Sequence, residues 1–276
     1  MTELLQRGRV YMVRIRKHRI LYFLSPAHFF NDLNSGMLTP ILPILTQTLG
    51  ITYLLAGALV SFTNLIPGLL NPVIAHNSEK RGYEKIVLIS GILILGLGTT
   101  LLSFSETYLT IMISSLLIGL GLSTYHPQAM SSLFKEYGTQ KGRAIGYHGT
   151  SGTLGFVVAP LIVIFANQTI GWRTPLHFFL IPAIVLAFIL WRNLHFNHKT
   201  IETLPQPGVR KQYTMLLGST VFLSIFASHG VKTFLPIYYI SLGESLELSN
   251  LVLFACLTAT LLAAPLGPLK TIGQLI

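Results

Sequence analysis

Charge is what this chain has least of. Only 10% of its 276 residues are Asp, Glu, Lys or Arg, against roughly 25% in soluble domains. Hydrophobic residues make up 51%, so too little polar surface is present to cover a water-soluble exterior. Cysteine is reduced to Cys256, which excludes an intramolecular disulfide and a thiolate metal cluster. No histidine grouping stands at metal-ligand spacing, and no nucleophile–base pair is recognisable. Neither an enzyme, a resident metal nor a cofactor is expected. A small-residue cleavage site is also missing after the basic N-terminus, so the first apolar run reads as a retained span rather than a signal peptide.

What is present instead is apolar length. Eight runs lie at 20–46, 52–75, 86–104, 108–131, 143–166, 173–194, 214–240 and 246–266. Each supplies the ~20 residues needed to cross ~30 Å of hydrocarbon. The expected fold is an all-α, polytopic membrane helix bundle. A net charge of +10 would suit nucleic acid if it lay in one patch, but it is dispersed. With the N-terminus placed in the cytoplasm, all but Arg173 and Lys232 of the 19 Lys and Arg fall in inside segments. Outside loops carry Glu106, Glu244 and Glu247 instead. This is the positive-inside bias of a multi-pass protein, whose partner is a lipid bilayer and not nucleic acid. Trp172 and Trp191 bracket the sixth span, about 28 Å apart along a helix, as one ring at each membrane interface. Residues 195–212 are basic, hold Pro205, Pro207 and Gly208, and read as a cytoplasmic linker. They divide a six-helix unit, 1–194, from the first two helices of a second, 213–276.

Polar residues inside these runs carry the functional signal. His28, Asp32, Ser35, Gly36 and Thr39 follow i, i+3, i+4 spacing and share one helical face. Asp32 falls near mid-membrane, where an aspartate costs about 3 kcal/mol to insert. An acid there is functional by default. It suits proton binding and release, with His28 one turn away as its partner. The alternative is a structural carboxyl capped by Asn31 or by a neighbouring helix. His126, Pro127 and Gln128 lie in the inner third of the fourth span, and His148 near the inner start of the fifth. The two histidines could meet on the cytoplasmic side of a cavity, or each could bond nearby backbone. His229 and Lys232 share the seventh span; Lys232 either faces substrate or snorkels to the interface. In the fifth span Gly146, Gly149, Gly152 and Gly155 precede Ala159-Pro160, a density of small residues that lets helices approach backbone to backbone.

Six spans, a basic linker and a restart resemble the major facilitator superfamily of secondary transporters. The loop 75–85, Ala75-His76-Asn77-Ser78-Glu79-Lys80-Arg81-Gly82-Tyr83-Glu84-Lys85, is similar to that family's loop between its second and third helices, with Ala75 for the first Gly, Glu79 for Asp and Tyr83 for a basic residue. Gly171-Trp172-Arg173 resembles its entry to helix six, and Gly146-x8-Gly155-x3-Ala159-Pro160 its antiporter motif. Four further stretches resemble the fosmidomycin-resistance branch: His28-x2-Asn31-Asp32, Tyr125-His126-Pro127-Gln128-Ala129, Gly149-x2-Gly152-x2-Gly155-Phe156 and Thr233-Phe234-Leu235-Pro236-x-Tyr238-Tyr239.

The resemblance implies a proton-coupled efflux antiporter of the drug-resistance kind, exporting a small drug-like or anionic molecule across a bacterial inner membrane. Asp32 and His28 would then couple protons. Asn31, Ser35, His126, Gln128, His148, His229 and Lys232 would line the substrate cavity. Glu79, Lys80, Gly82 and Lys85 would form the conformational loop, and Gly146, Gly149, Gly152, Gly155 and Pro160 the packing seam. The family has about twelve spans in two halves. Eight spans lead to the expectation that the chain is truncated after its eighth helix and does not transport alone, so that missing C-terminal helices or another chain are required. A fragment, a damaged reading frame and one part of an assembly all remain open. The alternative function is a non-transporting membrane scaffold or assembly partner.

Overall fold

A computed structural model of the chain describes residues 2–196 and 211–263. Most of the expected linker, the end of the second unit and the side chains of the N-terminal arginines lie outside the described residues. The elements are α1 (Thr2–Leu49), α2 (Tyr53–Arg81), α3 (Glu84–Leu102), α4 (Tyr108–Tyr137) and α5 (Lys141–Thr169). They continue with α6 (Arg173–His177), α7 (Leu180–Asn193), α8 (Lys211–Ser241) and α9 (Leu246–Ala263). A single 3-10 turn, Gly138–Gln140, joins α4 to α5, and no strand occurs among the described residues. Lys211 and Gln212, expected in the linker, are the first residues of α8.

Among the described residues six stretches are long and apolar enough to cross a membrane: α2, α3, α4, α5, Arg173–Asn193 and Met215–Ser241. The apolar part of α9, Leu246–Leu262, is shorter. Helix α1 is outside this set despite its length, because His28, Asn31, Asp32, Asn34 and Ser35 dilute its apolar character. The eight expected runs therefore do not qualify alike: α1 falls short in apolar composition and α9 in apolar length. Around the bundle, Leu54, Leu65, Leu69, Phe165, Val185 and Phe188 all point outwards. An apolar exterior of this kind is that of a multi-span helical membrane protein.

Three local departures have local causes. The sixth span is broken into α6 and α7 because Pro182, lacking an N–H, cannot bond the carbonyl of Phe178 four residues earlier and its ring crowds that carbonyl. The chain tightens there: Phe178 N–H donates to Pro175 O at 3.2 Å and Ile181 N–H to Phe178 O at 3.0 Å. The freed N–H of Leu180 donates to Thr100 Oγ1 on α3 at 3.0 Å. Residues 75–81, expected as loop, are the last two turns of α2. Lys80 and Arg81 sit in the final turn, and Gly82 ends the helix at φ +70°, a left-handed conformation that costs glycine nothing. Trp172 is only 7% exposed; it packs inward with the Arg173 guanidinium over its ring, so it is no lipid-facing belt residue, whereas Trp191 is exposed.

Small residues set the closest approaches. Helix α1 lies along α5, α3 along α4, α2 along α4 and α9 along α5. On α5 the seam is His148, Gly152, Gly155 and Ala159, spaced by four, three and four residues and buried throughout. A Cβ on Gly155 would collide with the Phe29 carbonyl and sit 2.7 Å from the Leu33 nitrogen. Gly146 and Gly149, expected in the same seam, face open space. Glycines three residues apart fall back about 60° per step, so Gly146 lies on the opposite side of the helix from Gly155. Pro160 is buried. From Gln212 to Ala227 every described side chain of α8 is exposed. Its second half approaches α1, α2 and α9.

Candidate functional site

Folding gathers the stripe on α1 and the histidines of α4 and α5 into one buried cluster. Asp32, the only aspartate in the chain, is 7% exposed. His28 Nε2 faces Asp32 Oδ2 at 3.3 Å, and His126 Nε2 reaches Asp32 Oδ1 at 3.8 Å. Asn31 Nδ2 donates to Asp32 Oδ1 at 2.9 Å and also lies 3.5 Å from His126 Nε2. His28 Nδ1 is 2.8 Å from the carbonyl of His148. A carbonyl only accepts, so Nδ1 carries the proton, and Nε2 of a neutral His28 presents a bare lone pair to the carboxylate. Two acceptors 3.3 Å apart repel unless something positive lies between them.

Aromatic faces hold this geometry. The His28 ring stacks on His148, with centroids 4.1 Å apart, and on Tyr125 at 5.4 Å. Tyr125 is fixed by its hydroxyl, which donates to Leu24 O. Gly152 stands against the cluster, where a Cβ would come 2.5 Å from both His28 Nε2 and Asp32 Oδ2. Asn31 Oδ1 and both ring nitrogens of His148 are buried without a hydrogen-bond partner. The His126 side chain is 44% exposed and forms the open edge.

The α1 stripe then continues into a separate small cavity. Ser35 and Thr39 line it with Asn64 of α2, Phe156 of α5, and His229 and Lys232 of α8. Beside it an open groove of about 810 Å³ runs between α2 and α8, walled by Tyr53, Phe222, Phe226 and Phe234. Gln128 is in neither place. Two residues past His126 it points to the other side of α4, where its Nε2 donates to Ser78 Oγ of α2 at 2.8 Å.

The expected conformational residues surround the junction of α2 and α3. Glu79 pairs with Lys135 of α4 at 2.6 Å, and Lys135 lies 4.0 Å from Glu84. Lys85 Nζ donates to the Trp191 carbonyl and lies over the indole ring, tying α3 to α7. Lys80 is exposed. Lys135 and Tyr125 are site residues beyond those expected: Lys135 carries only the charge of an inside segment in the sequence, and Tyr125 stands there only as the first residue of the Tyr125-to-Ala129 motif. The sequence shows no metal-ligand spacing in these elements, yet among the described residues the fold assembles one grouping. One ligand atom each from His28, Asp32 and His126 lies within 4.8 Å of the others.

The family model for the Major Facilitator Superfamily matches residues 24–272. An uncharacterised MFS-type transporter of Bacillus subtilis (strain 168) is 26% identical over 172 residues, 62% of this chain and 42% of that protein. The fosmidomycin resistance protein of Escherichia coli (strain K12) is 23% identical over 263 residues, 90% of this chain and 64% of that protein. The chain thus spans about half the length of the curated relatives it matches. Among solved structures, a bacterial homologue of the human lysosomal transporter Spinster, in an inward-facing conformation, superposes with a TM-score of 0.68. That likeness, at 18% identity over 85% of this chain and 58% of the other, is one of fold.

Proposed function

Since this chain belongs to the Major Facilitator Superfamily, we propose that it forms the proton-binding side of a secondary transporter that exports a small drug-like or anionic molecule. The observation that carries this reading is the facing pair His28 Nε2 and Asp32 Oδ2, 3.3 Å apart in the bundle interior. A proton held between them turns repulsion into a hydrogen bond. Removing it makes the two acceptors on α1 repel, and because His28 also donates to the His148 carbonyl of α5, occupancy of the site bears on the α1–α5 contact through His28. Three residues along the same face, Ser35 opens the cavity that Lys232 and His229 enter from α8. A substrate anion held by Lys232 would therefore sit about one helical turn from the proton site. Glu79, Lys135 and Lys85 fasten the far end of α2, α3 and α4 and would part as the cavity opens.

On this reading 1–194 is one six-helix half, 195–212 a cytoplasmic linker and 213–276 the beginning of a second half, in a bacterial inner membrane with the N-terminus inside. Alternating access rocks one half against the other. The uncovered first half of α8 supports a requirement for further helices, on this chain or another, to close the cavity. The same uncovered face also fits a non-transporting assembly partner.

The test is efflux from cells that lack their own exporters, with fosmidomycin and fluorescent cations as probes. Co-expressed with the C-terminal helices of a full-length family member, the chain is expected to give uncoupler-sensitive export that Asp32→Asn abolishes. Export unchanged by Asp32→Asn removes the proton-site assignment, and no export in either strain favours the assembly partner.

A further inference from the structure

The lone pairs that converge on Asp32 are also the donor set of a metal site. We propose that His28 Nε2, His126 Nε2 and the Asp32 carboxylate bind a divalent transition cation of the Zn²⁺ class. Two imidazole nitrogens and one carboxylate oxygen are the ligands such ions prefer, whereas Ca²⁺ and Mg²⁺ take oxygen. Zinc bonds of about 2.0–2.2 Å to nitrogen and oxygen put ligand atoms ~3.3–3.5 Å apart in a tetrahedron. The spacings of 3.3 Å and 3.8 Å to the two carboxylate oxygens, and a maximum of 4.8 Å among the ligand atoms, are within a side-chain adjustment of that.

Four features beyond the donors themselves favour a cation. First, His28 hands its other ring proton to a backbone carbonyl, His148 O at 2.8 Å. That outer bond is what fixes the tautomer of metal-ligating histidines. Second, Gly152 leaves the volume beside His28 Nε2 and Asp32 Oδ2 unfilled, where any side chain would occlude it. Third, Asn31, 1% exposed, keeps its Oδ1 orphaned beside the carboxylate to which its Nδ2 donates. Fourth, the partners of Asp32 among the described ion pairs are the two imidazoles, so no fixed cation already neutralises it there. The half-exposed His126 ring gives an ion a way in and leaves a fourth position for water. A bound ion takes the place between His28 and Asp32 that a bridging proton otherwise holds.

The experiment uses the full chain, free of any affinity tag, in lipid nanodiscs. Co²⁺ is the spectroscopic probe and Zn²⁺ the competitor. Saturable uptake of about one Co²⁺ per chain, displaced by Zn²⁺, is expected, with an absorption spectrum of imidazole and carboxylate ligation. His126→Gln is expected to weaken Zn²⁺ at least ~100-fold, beyond the 10–100-fold typical of outer-shell losses; Asp32→Asn is expected to do the same. His28 is sandwiched between rings, so the decision rests on His126→Gln, which leaves the α1–α5 seam untouched, with folding checked by circular dichroism. No saturable uptake, or uptake that His126→Gln leaves unchanged, overturns the proposal. Transport is not read, so a failure here leaves the proton-coupled reading standing, and the reverse also holds.

Discussion

Gly152 and Asp32 cannot both have side chains where they stand: a Cβ on the glycine would lie 2.5 Å from the carboxylate oxygen Oδ2. The neighbours that Gly152→Ala meets are the side-chain ends of His28 and Asp32, whose displacement breaks the cluster and leaves the backbone contact of α1 with α5 in place. Those that Gly155→Ala meets are the backbone of Phe29 and Leu33, which cannot give way. Gly152→Ala should therefore cost about 1 kcal/mol while scrambling the cluster, and Gly155→Ala about 3 kcal/mol. Gly146→Ala, in open space, should gain roughly 0.5–1 kcal/mol from helix propensity. Thermal melting in detergent orders the three, and equal losses would refute the seam described for α5.

Asn34 and Thr99 form a second polar link inside the bundle. Thr99 Oγ1 donates to Asn34 Oδ1 at 2.6 Å, and Asn34 Nδ2 donates to Phe30 O. Thr99→Val strands a buried acceptor and is expected to cost about 1–3 kcal/mol. Adding Asn34→Leu removes the stranded group, so the double variant should lose less than the sum of the singles. Additive losses in the melting midpoints would show that the bond contributes little.

Lys135 serves two acids of unequal burial. Glu79 is an exposed partner, whereas Glu84 is 2% exposed. Glu79→Gln should cost at most about 1 kcal/mol, as surface pairs do. Lys135→Met takes a cation from beside a buried carboxylate and should cost nearer 3 kcal/mol. Chemical denaturation of the two variants separates them; equal effects would mean that Glu84 does not depend on Lys135.

His148 contributes its ring face and its carbonyl, but neither ring nitrogen has a partner. His148→Phe keeps the stack on His28 and the carbonyl bond while removing two buried polar atoms. A neutral to stabilising change of up to about 2 kcal/mol is expected. A fall in melting temperature would reveal a hydrogen bond to the imidazole in the membrane-embedded protein.

Helical periodicity made the α1 stripe legible, because i, i+3, i+4 spacing is a property of the helix alone. His148 and His126 could be suspected but not joined to Asp32: they lie 120 and 95 residues from His28 and Asn31, and only the packing of α1 on α5 and α4 unites them. Gly146 and Gly149 were misassigned because a three-residue repeat is not the helical period. Gln128 looked like a cavity residue from its nearness to His126 in sequence, yet two helical positions turn it about 200° away. Glu79 to Arg81 resembled a loop, since a run of charges reads the same whether it caps a helix or leaves it.

The polar face of α1 has a history as well as a place. Its partner carbonyl on α5 is made 120 residues after His28. At 5–20 residues per second, synthesis takes roughly 6–24 s to cover that interval. Until then the imidazole of His28 lacks that partner, while Asn34 waits 65 residues for Thr99 and Asn31 95 residues for His126. The polar face of α1 thus depends on helices made after it, and swapping the order of α1 and α5 is expected to impair insertion before it impairs the folded protein.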